Sequence, residues 1–233
     1  MHIQGVVLDL DDTLYPEISY VDSGFRAVDK FLSEAGACQY GEFFCAAKSW
    51  FEAGPSSRVF DNAIETMGIS LDRFPISELV RVYREHSPTI RLFPDAEAWL
   101  IRNQGQYLLG IITDGFAISQ RRKVIALEIE NRVSSIVYSD DFGRTFWKPH
   151  SRPYREIQSR LGLRPEALVY VGDNPTKDFK GAREVGWHSI RIRRNGTLHQ
   201  FLEPLPGFEP DIEISRFDEL NAALINISLL SNK

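Results

Sequence analysis

The feature that most constrains this chain is a series of short apolar runs bounded by turn residues, each of which predicts a buried strand. The runs are Ile3 to Leu8, Tyr107 to Ile112, Ser135 to Tyr138, Ala167 to Val171 and Ser189 to Ile192. Segments of helical period separate the later runs, at Ile118 to Ala126, Pro153 to Leu161 and Lys177 to Val185. This alternation is typical of right-handed crossovers over a parallel sheet, so we predict an α/β fold.

One interval interrupts the alternation of strands and helices. From Pro16 to Phe93 the apolar residues follow helical spacing, as in Val21 and Phe25, and no run indicates a strand. Glycines and prolines divide this interval into about four short helices, which we expect to pack as a small cap above the sheet. The predicted domains are a core at residues 1–15 and 94–233 and a helical cap at residues 16–93.

Polar side chains follow the predicted strands at the points where these strands end. In an open parallel sheet, ligands bind outside the carboxyl ends of the strands, where loops and helix N-termini converge. We therefore expect the polar residues at these positions to surround a site. The candidates are Asp9, Asp11, Thr113, Lys148, Asp173 and Asp178.

The acidic residues among these candidates indicate a metal site. Carboxylates clustered at strand ends repel one another, so a fold keeps them with a compensating cation, and oxygen ligands suit Mg²⁺. Asp9 and Asp173 are the natural ligands. Asp9 and Asp11 are two residues apart, so a strand that continued regularly would point both to one face, where one can attack while the other handles protons.

These motifs together resemble those of phosphatases of the haloacid dehalogenase (HAD) superfamily. The resembling segments are Asp9-Leu10-Asp11-Asp12-Thr13, Thr113, Lys148, and Gly172-Asp173 with Asp178. Their order and approximate spacing match, and the resemblance covers nearly all of the chain outside the insertion. The insertion is similar to the helical cap called type C1, found in subfamily I. The resemblance implies a Rossmann-like parallel sheet core with a small helical cap inserted after the first strand.

The resemblance also implies roles for the candidate residues. Asp9 would attack phosphorus and form an aspartyl-phosphate, and Asp11 would protonate the leaving alcohol and later activate water. Thr113 and Lys148 would bind the phosphoryl group. Mg²⁺ would be held by Asp9, Asp173 and the main-chain carbonyl of Asp11. Asp178 would support the metal ligands or Lys148.

Other residues near the motifs carry weaker signals. Asp12 and Asp114 are expected to face away from their catalytic neighbours in an extended strand. Arg58 follows the turn-like segment Gly54 to Ser57, where a cap loop could reach substrate, and we take it as a candidate substrate-binding residue. A solvated arginine is the competing interpretation of Arg58.

Several functions of this superfamily stay open. Asp11 argues against a dehalogenase, because a carbon-halogen substrate has no leaving alcohol to protonate. A phosphomutase differs from a phosphatase in cap closure rather than in core residues, and a binding module that lost its chemistry would lack a motif residue. We expect a phosphatase that hydrolyses a small phosphorylated metabolite, either a sugar phosphate or a nucleoside monophosphate.

Composition limits the partners and the compartment. The 27 basic and 32 acidic residues give a net charge of −5, without a basic run typical of nucleic-acid binding. The two cysteines, Cys38 and Cys45, are expected to be free thiols. No signal-peptide pattern opens the chain, and no apolar run approaches the roughly 20 residues of a membrane helix. We expect a cytoplasmic protein without nucleic-acid or membrane partners, whose oligomeric state the sequence does not indicate.

Overall fold

The computed structural model of the protein describes residues 2–54 and 57–230. The chain forms two compact units, one made of Met1–Glu17 with Arg91–Lys233 and the other of Ile18–Ile90. The predicted cap, residues 16–93, extends beyond the second unit at both ends. Residues 16–17 and 91–93 belong to the first unit. We describe each unit separately.

The first unit contains a parallel β-sheet whose strand order is β3-β2-β1-β4-β5-β6. The strands are β1 (Gly5–Leu8), β2 (Leu108–Thr113), β3 (Ser135–Tyr138), β4 (Leu168–Gly172), β5 (His188–Ile192) and β6 (Ile212–Ile214). All residues of β1 and β4 are buried, as expected of central strands with both faces covered. The predicted α/β class is therefore confirmed.

Nine α-helices occur in the described part of the chain. They are α1 (Glu17–Glu34), α2 (Glu42–Glu52), α3 (Val59–Met67), α4 (Ile76–Glu85), α5 (Pro94–Asn103), α6 (Ala117–Ala126), α7 (Arg152–Leu161), α8 (Asp178–Glu184) and α9 (Leu220–Leu230). The segments predicted before β3, β4 and β5 correspond to α6, α7 and α8, whereas the prediction missed α5, β6 and α9. None of the helices in residues 2–54 and 57–230 is long and apolar enough to cross a bilayer.

One part of the core of the first unit lies where α7 and α8 pack against the sheet. Its large buried side chains include Tyr154 and Ile157 from α7, Tyr170 from β4, and Phe179 from α8. Burying each large apolar side chain stabilises the fold by about 1.5–3 kcal/mol. This packing fixes α8 against β4 and so fixes the loop between them, which carries part of the polar cluster described below.

The second unit is helical, with helices α2, α3, α4 and most of α1. Buried residues of α1 recur at helical spacing, at Val21, Phe25, Val28 and Leu32, and form the unit's apolar core with residues of the other helices. Asp29, also on α1, is buried, and its carboxylate accepts the main-chain N–H groups of Gly41 (2.8 Å) and Phe44 (3.1 Å). Since helix N-terminal N–H groups have no partner within their own helix, Asp29 fixes the start of α2.

The strand order places a ligand-binding position at the carboxyl edge of the sheet. β1 pairs with β2 on one side and with β4 on the other, so the chain order reverses at β1. Loops diverge at such a switch point and leave a crevice outside the strand ends. Asp9, Thr113 and Asp173 stand at the ends of these three strands.

Candidate active site

Lys148 lies at the centre of the polar cluster. Its ammonium group donates hydrogen bonds to Asp9 Oδ1 (2.7 Å), Asp178 Oδ1 (2.7 Å) and the Tyr170 hydroxyl (2.8 Å). The Lys148 side chain is fully buried. Burial alone would lower the pKa of Lys148, but the carboxylates of Asp178 and Asp9 outweigh it and raise that pKa well above its usual value. Lys148 is therefore a fixed positive charge beside Asp9.

Three carboxylates converge next to this lysine. Ligand oxygens of Asp9, Asp173 and Asp178 all lie within 4.8 Å of one another, and all three residues are buried. Burial raises the pKa of Asp9 to about 7, against the opposing charge of Lys148. Burial, with the charges of Asp178 and Asp9, raises the pKa of Asp173 well above its usual value. Oxygen atoms crowded in this way suit a hard divalent cation.

Asp173 and Asp178 differ in how their oxygens are used. Asp178 accepts the Asn174 N–H through Oδ2 (2.8 Å) and the Lys148 ammonium through Oδ1. Within the described residues, Asp173 Oδ2 is buried without a hydrogen-bond partner. An unpartnered buried carboxylate oxygen is costly, so Asp173 is suited to bind a cation and Asp178 to hold Lys148 in place.

Gly172 allows Asp178 to come this close to the end of β4. A Cβ atom at position 172 would lie 2.5 Å from Asp178 Oδ2, which is closer than real side-chain contacts. A larger residue before Asp173 would therefore clash with Asp178. Gly172 leaves room for the first residue of α8 against the strand.

Thr113 ends β2 and is completely buried. Its hydroxyl oxygen has no hydrogen-bond partner among residues 2–54 and 57–230. A buried hydroxyl without a partner is uncommon, because the lost hydrogen bonds to water are not replaced. The Thr113 hydroxyl is thus available to a ligand at the carboxyl edge of the sheet.

Asp11 has its own set of partners. Its carboxylate accepts the Lys123 ammonium (2.7 Å), the Gln120 side-chain amide (3.2 Å) and the Tyr15 hydroxyl. Burial alone would raise the pKa of Asp11, but the charge and hydrogen bond of Lys123 outweigh it, so that pKa is lowered. β1 ends at Leu8, so the regular strand assumed for the spacing of Asp9 and Asp11 does not continue.

The two aspartates expected to face away behave differently. Asp12 accepts the main-chain N–H groups of Glu17 (2.8 Å) and Leu198 (2.8 Å), so it caps the start of α1 and anchors the loop after β5. Asp114 does not turn away from the cluster. Its carboxylate accepts the main-chain N–H of Lys148 (3.2 Å) and lies 3.9 Å from the Lys177 ammonium.

Arg58 belongs to the second unit, at the residue before α3. Its side chain is 68% exposed and lies 3.9 Å from Asp61. Pro55 and Ser56 of the turn-like segment lie outside the described residues. The predicted substrate contact of Arg58 stays a prediction.

A model for haloacid dehalogenase-like hydrolases matches residues 6–192, a span that includes every core motif, all of the second unit and most of the first. The chain belongs to the haloacid dehalogenase-like hydrolase family. The family resemblance drawn from the motifs is thereby confirmed.

Several proteins with named activities are similar to this chain. A glyceraldehyde 3-phosphate phosphatase of Methanopyrus kandleri is 32% identical over 94% of this chain and 95% of its own length. A phosphoserine phosphatase of Thermus thermophilus is 31% identical over 75% of this chain and 67% of its own. Magnesium-bound YfnB of Bacillus subtilis, assigned to the HAD hydrolases, has a TM-score of 0.71 at 19% identity, covering 96% and 99% of the two chains. The YfnB likeness shows the fold.

The structure of this HAD-family chain adds site residues that the motifs did not indicate. Tyr15, Gln120 and Lys123 surround Asp11, and Tyr170 contacts Lys148. Lys123 stands in the run Gln120-Arg121-Arg122-Lys123, which looks like a solvated charge cluster. Helical spacing offered a signal, because positions 120 and 123 share a face of a helix that starts just after Thr113.

Proposed function

We propose that this protein is a Mg²⁺-dependent phosphatase that hydrolyses a small phosphate monoester through an aspartyl-phosphate on Asp9. The observation that carries this proposal is the position of Asp9, held by Lys148 at 2.7 Å inside a buried cluster of three carboxylates. Phosphoryl transfer depends mainly on positioning and charge neutralisation, which this arrangement supplies.

The residues present fit a magnesium ion. Asp9, Asp173 and the main-chain carbonyl of Asp11 would hold it, and the buried, unpartnered Asp173 Oδ2 supports this assignment. The Asp11 carbonyl accepts the Thr13 N–H (2.6 Å), which leaves a second lone pair for a cation. When bound, magnesium neutralises negative charge on the phosphoryl oxygens and on Asp9.

The chain's own residues then perform the two halves of the reaction. A carboxylate oxygen of Asp9 attacks phosphorus, and the bond from phosphorus to the ester oxygen breaks. Because its lowered pKa makes Asp11 a carboxylate at rest, Asp11 must first take up a proton, which it then gives to the leaving oxygen. In the second half, Asp11 takes a proton from water, which attacks phosphorus and releases phosphate and Asp9. Lys148 offsets the negative charge at Asp9, and the Thr113 hydroxyl donates to a phosphoryl oxygen.

The substrate in this proposal is a small phosphorylated metabolite. The two relatives named above act, by their names, on glyceraldehyde 3-phosphate and on phosphoserine, which are small acyclic phosphate monoesters. These names favour a sugar phosphate of triose size over a nucleoside monophosphate. Selection of the leaving group by the helical unit, including Arg58, is part of the same proposal.

The competing functions lack supporting observations. A retired binding module would lack a core residue, whereas Asp9, Lys148 and Asp173 are all present and clustered. A dehalogenase would need no proton donor at position 11. A phosphomutase would use the same core, so only activity separates it from a phosphatase.

The test is phosphate release from a panel of triose phosphates, phosphoserine, phosphoglycolate and nucleoside monophosphates, with Mg²⁺ and with a chelator. We expect selective release from a small acyclic ester that stops in chelator. Release that continues undiminished in chelator would contradict the metal assignment. Isomerised sugar phosphate without free phosphate would indicate a mutase.

A further inference from the structure

Asp11 is enclosed by side chains from two separate segments of the first unit. The Lys123 ammonium (2.7 Å) and the Tyr15 hydroxyl donate to Oδ1, and the Gln120 amide (3.2 Å) donates to Oδ2. Both carboxylate oxygens therefore have fixed donors. This geometry sets the direction in which the Asp11 carboxylate points.

Two of these donors lie on the buried face of α6. Gln120 and Lys123 are each 3% exposed, three residues apart on one face of the helix. The Gln120 amide also donates to the main-chain oxygen of Asp114 (2.5 Å), which ties α6 to the end of β2. Gly115 leaves the necessary room, because a Cβ there would lie 2.6 Å from Gln120 Nε2.

Burying the Lys123 ammonium group at this position destabilises the fold. An apolar side chain would normally fill the buried face of a helix over a sheet, and a buried ammonium group loses its hydration. The ion pair with Asp11 offsets part of this loss, with side-chain exposures of 4% for Lys123 and 17% for Asp11. Replacing an ion pair of this kind by apolar residues is often neutral or stabilising, so stability alone does not account for the lysine.

The nucleophile and the proton carrier thus have separate lysines. Asp9 is paired with Lys148, which follows β3, and Asp11 is paired with Lys123 on α6. Since each carboxylate has its own ammonium group at 2.7 Å, the two do not share one lysine. The separate pairing keeps each carboxylate in its own orientation.

We propose that Lys123, with Gln120 and Tyr15, is a positioning residue that orients the Asp11 carboxylate for both proton transfers. This inference rests on the proposed function, in which Asp11 is the acid and base. Lys123 acts through Asp11 and needs no contact with substrate. Its removal therefore affects the steps that require Asp11 and leaves substrate binding largely intact.

The experiment is a double-mutant cycle of Lys123→Met and Asp11→Asn, with Arg121→Met as the matched control. Arg121 is also on α6, but its side chain is half exposed and pairs with Asp141. Initial rates are measured with glycerol 3-phosphate, whose leaving alkoxide needs a proton. Release of the alcohol in a single turnover is measured with glycerol 3-phosphate and with p-nitrophenyl phosphate. Circular dichroism and thermal melting establish that each variant is folded.

We expect Lys123→Met to lower kcat for glycerol 3-phosphate by about 10²-fold, within the range that general acid–base catalysis contributes, with little change in KM. Single-turnover release of p-nitrophenol should fall much less, because that leaving group needs no proton. In the Asp11→Asn background, Lys123→Met should cause little further loss, since residues that act as a unit are not additive. Arg121→Met should behave like the wild type.

Equal losses from Lys123→Met in both backgrounds, or an unchanged kcat in the Lys123 variant, would overturn the inference. Wild-type turnover in Asp11→Asn alone would instead contradict the acid and base role in the proposed function. If Lys123→Met does not fold, Tyr15→Phe replaces it in the same cycle, because it removes one donor and keeps the ring. A smaller, non-additive loss is then expected, and an additive one would overturn the inference.

Discussion

The Lys148 ammonium lies 2.7 Å from the Asp9 carboxylate, and the two side chains are 0% and 5% exposed. Removing one member of a buried ion pair leaves the other charge uncompensated. We predict that Lys148→Met lowers the free energy of unfolding by about 3–5 kcal/mol and abolishes turnover. Urea denaturation measures the first effect, and phosphate release the second.

The matched control for Lys148→Met is Lys30→Met. Lys30 lies on α1, is 67% exposed, and forms a long surface pair with Glu34 at 3.8 Å. Such exposed pairs contribute at most about 1 kcal/mol. Similar losses of stability in the two variants would contradict the buried pairing of Lys148.

Asp173→Asn should separate metal binding from folding. The substitution removes a negative charge from three crowded carboxylates, so we expect the metal-free variant to be at least as stable as the wild type. A ligand at 100 times its Kd stabilises the folded state by about 2.7 kcal/mol. Mg²⁺ should therefore raise the melting temperature of the wild type and not that of the variant. The same Mg²⁺-induced rise in both proteins would show that the ion binds elsewhere.

Asp29→Ala should weaken the start of α2. It removes the carboxylate that accepts the N–H groups of Gly41 and Phe44, and loss of such a cap costs about 0.5–2 kcal/mol. Hydrogen exchange at these two amides should accelerate, whereas Asp29→Asn, which keeps an acceptor oxygen, should change them less. Unchanged protection in Asp29→Ala would contradict the capping role.

Asp95 should give the fold a pH dependence. Asp95 accepts the Phe217 N–H (2.9 Å) and the Arg194 guanidinium (3.0 Å), and these bonds lower its pKa despite burial. A lowered pKa in the folded state means that the carboxylate stabilises the fold above its unfolded pKa near 3.8. That stabilisation is lost as the pH falls through the folded-state value.

We therefore expect Asp95→Asn to cost about 1.5–3 kcal/mol at pH 6 and progressively less below pH 4. Urea denaturation of the wild type and the variant, at pH 6 and again below pH 4, measures this cost. Glu97→Gln, in the same helical turn, is the control, because Glu97 is half exposed and pairs only loosely with Arg132 (3.4 Å). A cost for Asp95→Asn that does not vary with pH would contradict the assignment.

The parts of the fold that the sequence predicted are those with a repeated pattern. Apolar runs located β1 to β5, because buried parallel strands are continuously apolar. β6 is only three residues long, Ile212–Ile214, and its central glutamate is exposed, so it has no such run. The prediction also missed α5, although its start at Pro94 follows the preference for proline at the first helical position.

The candidate site was predictable where it depends on strand ends. Thr113 ends β2, and Asp9 and Asp173 follow the neighbouring strands β1 and β4, so the parallel order brings all three to one edge of the sheet. The partners of Asp11 were not predictable from that rule. They depend on where β1 stops and on which face of α6 is buried. Lys123 follows Arg121, which is exposed, and Arg122, which is partly buried, so the sequence does not indicate that Lys123 is buried.

The measurement that tests the central claim most directly is the turnover of Asp9→Asn with saturating Mg²⁺ and the best ester of the panel. The amide keeps the shape of the side chain and removes its nucleophilic charge. Without a nucleophile no aspartyl-phosphate forms, so we predict that phosphate release is abolished while the circular dichroism spectrum and melting profile stay those of a folded protein. Near-normal release by a folded Asp9→Asn protein would contradict the account.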